Sequence, residues 1–125
     1  MTIQKIVRDD GGLEWRLNGK LHREDGPAAI RPGGAQVWYQ HGELHREDGP
    51  AVTYNDGAEY WYQHGKLHRE EGPAIITSTG NQFWYQHGDR HREDGPAVIA
   101  NGTQEWWFEG KQYEDELVFR MMVAR

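Results

Sequence analysis

Four histidines, His22, His45, His68 and His91, each open the same charged phrase. It reads "HREDGPA" three times and "HREEGPA" once. An imidazole that titrates near neutral pH, two carboxylates and a guanidinium are the parts of a general acid–base set. Four equivalent copies point away from catalysis, because an enzyme needs one cleft whose groups differ in proton affinity. Serine occurs once, at Ser78, and leaves little for a serine nucleophile. The chain is therefore read as non-enzymatic, with no catalytic residue.

A second set, His41, His64 and His87, stands four residues ahead of His45, His68 and His91 in "HGELH", "HGKLH" and "HGDRH". On a helix that spacing could grip zinc, but a glycine interrupts it inside a turn, and the chain has no cysteine. No metal or cofactor is expected. The absence of cysteine also removes disulfides and thiolate chemistry and suits a reducing compartment.

The elements that position these residues follow from the period. His22 to His91 are stepped by 23 residues, as are Pro27, Pro50, Pro73 and Pro96. Such a step marks a repeat architecture. Between the octapeptides runs "WYQHG", which places Trp38, Trp61 and Trp84 on the same step, with Trp15 in register upstream and Trp106 or Trp107 downstream. The last copy has decayed, with Tyr113 in the place of His and Glu114 in the place of Arg, as a terminal unit with one neighbour would be.

Within a unit, Ala51–Tyr54 and Ala58–Gln63 are β-rich runs flanking Asn55-Asp56-Gly57, a strong hairpin signal. His64-Gly65 turns the chain again, and the octapeptide connects to the next hairpin, closed by Gly-Pro. The expected fold is all-β: an elongated single-layer antiparallel array of about five hairpins over residues 1–113. Residues 114–125 form a short C-terminal helix, since Glu114–Glu116 precede an apolar run ending in Arg120 and Arg125. That helix caps the last hairpin or joins two copies as a homodimer.

These phrases carry a resemblance. "WYQHGKLHREDGPAVTYNDG", assembled from the chain's own variants, resembles the MORN repeat, which is also about 23 residues long and built around an aromatic, N-G-K, H-G and a closing glycine. The similarity runs from Ile3 to about Tyr113. It departs where "REDGP" replaces a shorter Gly-x-Gly connection, and the chain is more similar to a variant repeat of uncharacterised phage and bacterial proteins. The resemblance implies a row of β-hairpins with roles mostly in protein binding, sometimes in lipid contact. A phage origin would imply inhibition of a host defence component.

Strand alternation puts Trp15, Trp38, Trp61, Trp84 and Trp106 on one face as a buried structural ladder. It puts Tyr39, Tyr60, Tyr62, Phe83 and Tyr85 on the other, as a second core or a partner-binding stripe. The octapeptide arginines are expected to pair with carboxylates of their own or an adjacent unit, and the Asp of "DG" to hold its own turn.

The formal net charge is −6. It excludes nonspecific nucleic-acid binding, which needs clustered Lys and Arg. No segment approaches the roughly 20 apolar residues that cross a bilayer, and the start "MTIQKIVRDD" lacks the apolar run of a signal peptide, so the chain is read as cytoplasmic. The favoured function is binding of a protein partner through an aromatic face and an acidic rim. Two alternatives are a small-molecule binder, with pockets between hairpins for a nucleotide-like or anionic ligand, and an acidic mimic of nucleic acid.

Overall fold

A computed structural model describes residues 2–123. The protein divides into two compact units, one ending at Lys66 and the other beginning at Leu67. Both are built of short antiparallel strands, and one helix closes the second.

In the first unit, Gln4–Val7 lies on Leu13–Leu17, with Lys5 opposite Trp15. The sheet continues through Ala29–Ile30, Gln36–Val37, Val52–Thr53 and Glu59–Tyr60. The second unit repeats the scheme with Ile75–Ile76, Gln82–Phe83, Val98–Ala100, Thr103–Phe108 and Lys111–Tyr113. The turn between Val52–Thr53 and Glu59–Tyr60 forms as its residues demand. Gly57 takes φ 92 and donates its N–H to Tyr54, while Asp56 Oδ1 accepts from Ala58 N–H.

The sequence predicts one strand running through each interior tryptophan, and here the structure differs. Trp38, Trp61 and Trp84 lie between two short strands instead of inside one. Trp38 N–H donates to the Ala51 carbonyl at 2.6 Å and its own carbonyl accepts from His45 N–H at 3.1 Å. After the tryptophan a second hairpin forms, Tyr39–Gln40 with Glu43–Leu44, and likewise Tyr85–Gln86 with Asp89–Arg90. Its turn is His41-Gly42, with φ 51 and 81, the double left-handed geometry of a type I′ turn. Each interior repeat therefore holds two hairpins, and strict alternation does not carry through the tryptophan.

That break relocates the tyrosines. Ala29, Val37 and Val52 form a buried cluster, and Tyr39, Tyr60 and Tyr62 all pack against it with Leu21 and Leu44. Tyr60 and Tyr62 thus help cover the core. The residues that vanish completely from solvent are small: Ala28, Ala29, Ala51, Ala74 and Ala97 are 0% exposed. The tryptophans remain half-buried, so the buried column expected of the indoles is made of alanine, valine and histidine instead.

One carboxylate enters this core. Glu14, opposite Ala29, is 6% exposed and accepts from Arg8 at 2.7 Å and Arg16 at 3.0 Å, with Arg31 at 3.6 Å. The Arg8 hydrogen bond, helped by Arg16, holds its carboxyl below the ordinary value against the opposing effect of burial.

The C-terminal helix is Glu116–Met122, capped by Asp115, whose side chain accepts from Val118 N–H, and braced by Arg120–Glu116 at 2.7 Å. It is seated through Phe119, 1% exposed and edge-on to Tyr113, while Leu117, Met121 and Met122 face solvent. Residues 124 and 125 of the expected helix lie outside the described residues.

The unfolded chain takes up the Glu14 proton at a higher pH than the folded one does. Its stabilisation is therefore complete above the ordinary carboxylate value of 4.5 and is lost as pH falls through the lowered one. Urea titrations across this range should show Glu14→Gln losing less stability on acidification than the unaltered chain.

Candidate functional site

The histidine, arginine and glycine of the octapeptide each have a structural task. Arg46 lies on the Trp38 ring with its guanidinium carbon 3.9 Å from the centroid, donates Nε–H to Asp48 Oδ1 at 3.2 Å and Nη1–H to the Pro50 carbonyl at 3.2 Å. Arg23 on Trp15 and Arg92 on Trp84 repeat this at 4.1 and 4.0 Å, with Asp25 and Asp94 as partners. A flat cation on an indole face gains from the ring quadrupole, about 0.5–2 kcal/mol depending on desolvation.

The glycine completes the clamp. A Cβ on Gly26, Gly49 or Gly95 would come within 2.8, 2.7 or 2.8 Å of the guanidinium carbon of Arg23, Arg46 or Arg92. Those three glycines have ordinary backbone angles, so room for the arginine, and not turn geometry, demands them. The Asp, expected to hold its own turn, is the arginine's partner. These Arg–Asp pairs lie within one octapeptide, and the expected pairing from unit to unit falls to another group.

That group is the histidine. His22, His45, His68 and His91 are 2–9% exposed. The Nδ1 of His22 accepts from His41 N–H at 2.9 Å, that of His45 from His64 N–H at 3.0 Å, that of His68 from His87 N–H at 2.9 Å and that of His91 from Glu109 N–H at 2.9 Å. Each donor sits in the left-handed turn of the following repeat. The rings of His22 and His41 approach to 4.5 Å, and those of His45/His64 and His68/His87 repeat this. Because Nδ1 accepts, the proton of the neutral ring lies on Nε2. Nε2 of His22 and His68 bonds Glu24 and Glu70 at 3.3 and 2.8 Å, and Glu47 lies 3.8 Å from His45 Nε2.

The two histidines of "HGELH" thus belong to different pairings, and among the described residues no group of three or more His, Asp or Glu could hold a metal ion. The carboxylates point outward. Glu24, Glu47 and Glu70 side chains are 70–79% exposed and Asp25, Asp48 and Asp94 are 86–87% exposed. Arg92, bonded to Asp94, holds that carboxyl below its ordinary value.

The aromatic candidates are placed differently from the carboxylates. Tyr39, Tyr60 and Tyr62 support the core, as described above. Phe83 and Tyr85 flank Arg90, which stands where the other octapeptides begin with leucine. Its guanidinium lies 5.6 Å from the Phe83 ring, 5.5 Å from Tyr85 and 5.1 Å from Trp107, donates to Tyr85 Oη at 3.0 Å and lies 3.8 Å from Glu105. Trp15, Trp38 and Trp84 each carry an arginine. Trp106 takes the register of Trp84, one residue ahead of Trp107, whose carbonyl accepts from Arg92 as that of Tyr85 accepts from Arg69. The arginine clamp and the cage around Arg90 were missed from sequence. The departure of Arg90 from leucine was the visible signal for the second.

No family model matches this chain, and no curated protein matches it. No helix among the described residues is long and apolar enough to cross a membrane.

Gly49→Ala should lower the urea midpoint by the equivalent of roughly 1–2 kcal/mol, because the methyl forces Arg46 off Trp38. Gly33→Ala, with nothing within 4 Å of the added carbon, should leave the midpoint almost unchanged. Long-range 1H–15N spectra should show His22, His45, His68 and His91 as Nε2–H tautomers, and His45→Phe should cost about 1–3 kcal/mol by orphaning His64 N–H.

Proposed function

We propose that the chain is a non-enzymatic protein-interaction module whose octapeptide loops engage a partner through its basic surface. One observation carries this reading. In the first, second and fourth copies of the phrase from His to Ala the only cation lies on an indole, while the Glu and Asp beside it remain open to solvent. The Arg–Asp pair roughly cancels and the Glu charge is left over, so each of these phrases carries about one net negative charge at a fixed step in sequence, offset in the fourth by the preceding Arg90. Charges displayed this way steer an oppositely charged partner and select its register more than they add raw affinity.

The tyrosine stripe supports the reading less, since its members are occupied in packing. The hairpin repeats and their His-Gly turns support relating the chain to MORN-like repeats, where a row of hairpins serves protein binding. Catalysis has no support in the octapeptides, whose His, Arg and Asp are each committed to holding the loop.

The test is affinity capture with mass spectrometry, using the intact chain as bait beside the variant Glu24→Gln, Glu47→Gln, Glu70→Gln, Glu93→Gln. Glutamine keeps an acceptor for the histidines while the net charge moves from −6 to −2, four charges fewer. A partner captured by the unaltered chain should bind the variant at least about tenfold more weakly and be released as salt rises. A partner held equally by both baits, but lost when Tyr39, Tyr62 and Tyr85 become Ala, would reject the acidic-edge reading in favour of the aromatic one.

A further inference from the structure

The fourth octapeptide has the same seven residues from histidine to alanine as the first two, yet its histidine is not used in the same way. His91 is 9% exposed, and its Nδ1 is taken by Glu109 N–H. Its Nε2–H is thereby left as the free donor, and among the described residues it has no partner. Glu93, the counterpart of Glu24 and Glu70, does not turn back to it.

His91 lies in the wall of an open cleft of about 770 Å³ between the third and fourth octapeptides. Ligand clefts commonly span roughly 300–1,000 Å³. Glu70, Glu71, Glu93 and Asp94 line this space together with Trp84 and Arg92. Glu70 is bonded to His68 and Asp94 to Arg92, so two of the four acids are already employed. Glu71 and Glu93 are exposed, stand on different loops and have no partner among the described residues. Glu71 is also the one place where "HREEGPA" departs from "HREDGPA".

The His91 Nε2–H opens into the cleft without a protein acceptor and can be taken by a bound carbonyl, and two unpaired carboxylates favour a cation beside it. Among the described residues no group of three or more His, Asp or Glu could hold a metal ion. Building on the acidic-edge reading above, we infer that this cleft receives an arginine side chain from an extended segment of the partner. Glu71 and Glu93 bind its guanidinium, and His91 Nε2–H donates to the segment's backbone carbonyl. A planar guanidinium can bond two carboxylates on separate loops at once, which a compact ammonium does less well.

The test uses the full chain labelled with 15N at histidine and titrated with the capped tripeptide acetyl-Gly-Arg-Gly-amide. The Lys and Gln analogues serve as comparisons. The expected result is a saturable shift of the His91 Nε2 signal with the arginine peptide, absent with the glutamine peptide and at least about tenfold weaker with lysine. His22, His45 and His68 should not respond. In Glu71→Gln/Glu93→Gln the His91 response should disappear, while unchanged signals from the other histidines certify the fold. An absent His91 shift, an equal shift in the double variant, an equal response at all four histidines, or equal binding of the lysine peptide would each overturn the inference. Failure here together with charge-dependent capture from lysate would reject this cleft alone. A saturable His91 shift without charge-dependent capture would reject the wider acidic edge alone.

Discussion

The structure depends on a backbone N–H of one repeat reaching the Nδ1 of a buried imidazole in the repeat before it. A unit with two-residue strands has little ladder of its own, and its largest side chains are only half covered. Register between successive units must come from elsewhere. The imidazole supplies it because its acceptor is rigid, buried and aimed at one donor, in a place where an unmade bond carries a full desolvation penalty. Around it, Gly42 N–H reaches the Leu21 carbonyl and Arg23 N–H reaches the Tyr39 carbonyl, so three hydrogen bonds fasten one repeat to the next. The same set recurs at Gly65, His64 and Arg46 in the first unit, and at Gly88, His87 and Arg69 in the second.

The arginine clamp solves a different problem. A thin sheet cannot cover both sides of an indole with aliphatic side chains, and the octapeptide lays a guanidinium across one face instead. Arginine suits this better than lysine, since its plane matches the ring while its edge still has donors for Asp and the proline carbonyl. Glycine, required by the thickness of that stack, and alanine, required by a backbone packed to 0% exposure, explain why the phrase tolerates so little variation among its copies. Packing and charge display are thus performed by the same few residues: neutralising Asp inside the clamp leaves Glu outside it.

Much of this was legible in the sequence. The period, the hairpin at Asn55-Asp56-Gly57 and the C-terminal helix follow from spacing and turn chemistry, signals that are local. The second hairpin was harder to read, because histidine enters a left-handed turn less often than asparagine does, and among the described second hairpins only the first, at Asn18-Gly19, carries the familiar form of that turn. Tryptophan misled for a physical reason. An aromatic amid β-formers suggests an uninterrupted strand, yet Trp38 spends its N–H and carbonyl on two different partners and ends the alternation on which the tyrosine stripe rested. The arginine–indole stack joins residues eight apart across a turn, and no spacing rule reveals it. Nor does any rule distinguish His91 from His45, since the two differ in what their Glu neighbours do and not in which residues follow them.

The left-handed turn residue and the imidazole that receives its N–H sit at fixed places in every copy, which makes each copy both plug and socket. In the first unit, excising one whole copy, for instance residues 22–44, would bring His45 directly after Leu21 and leave the coupling chemistry at the new junction unaltered. Recombination between duplicated segments could then lengthen or shorten such a gene in steps of one period without passing through a broken intermediate. The two ends, where Asn18 opens the series and Phe108 replaces a stacked histidine ring over His91, would travel unchanged as terminators.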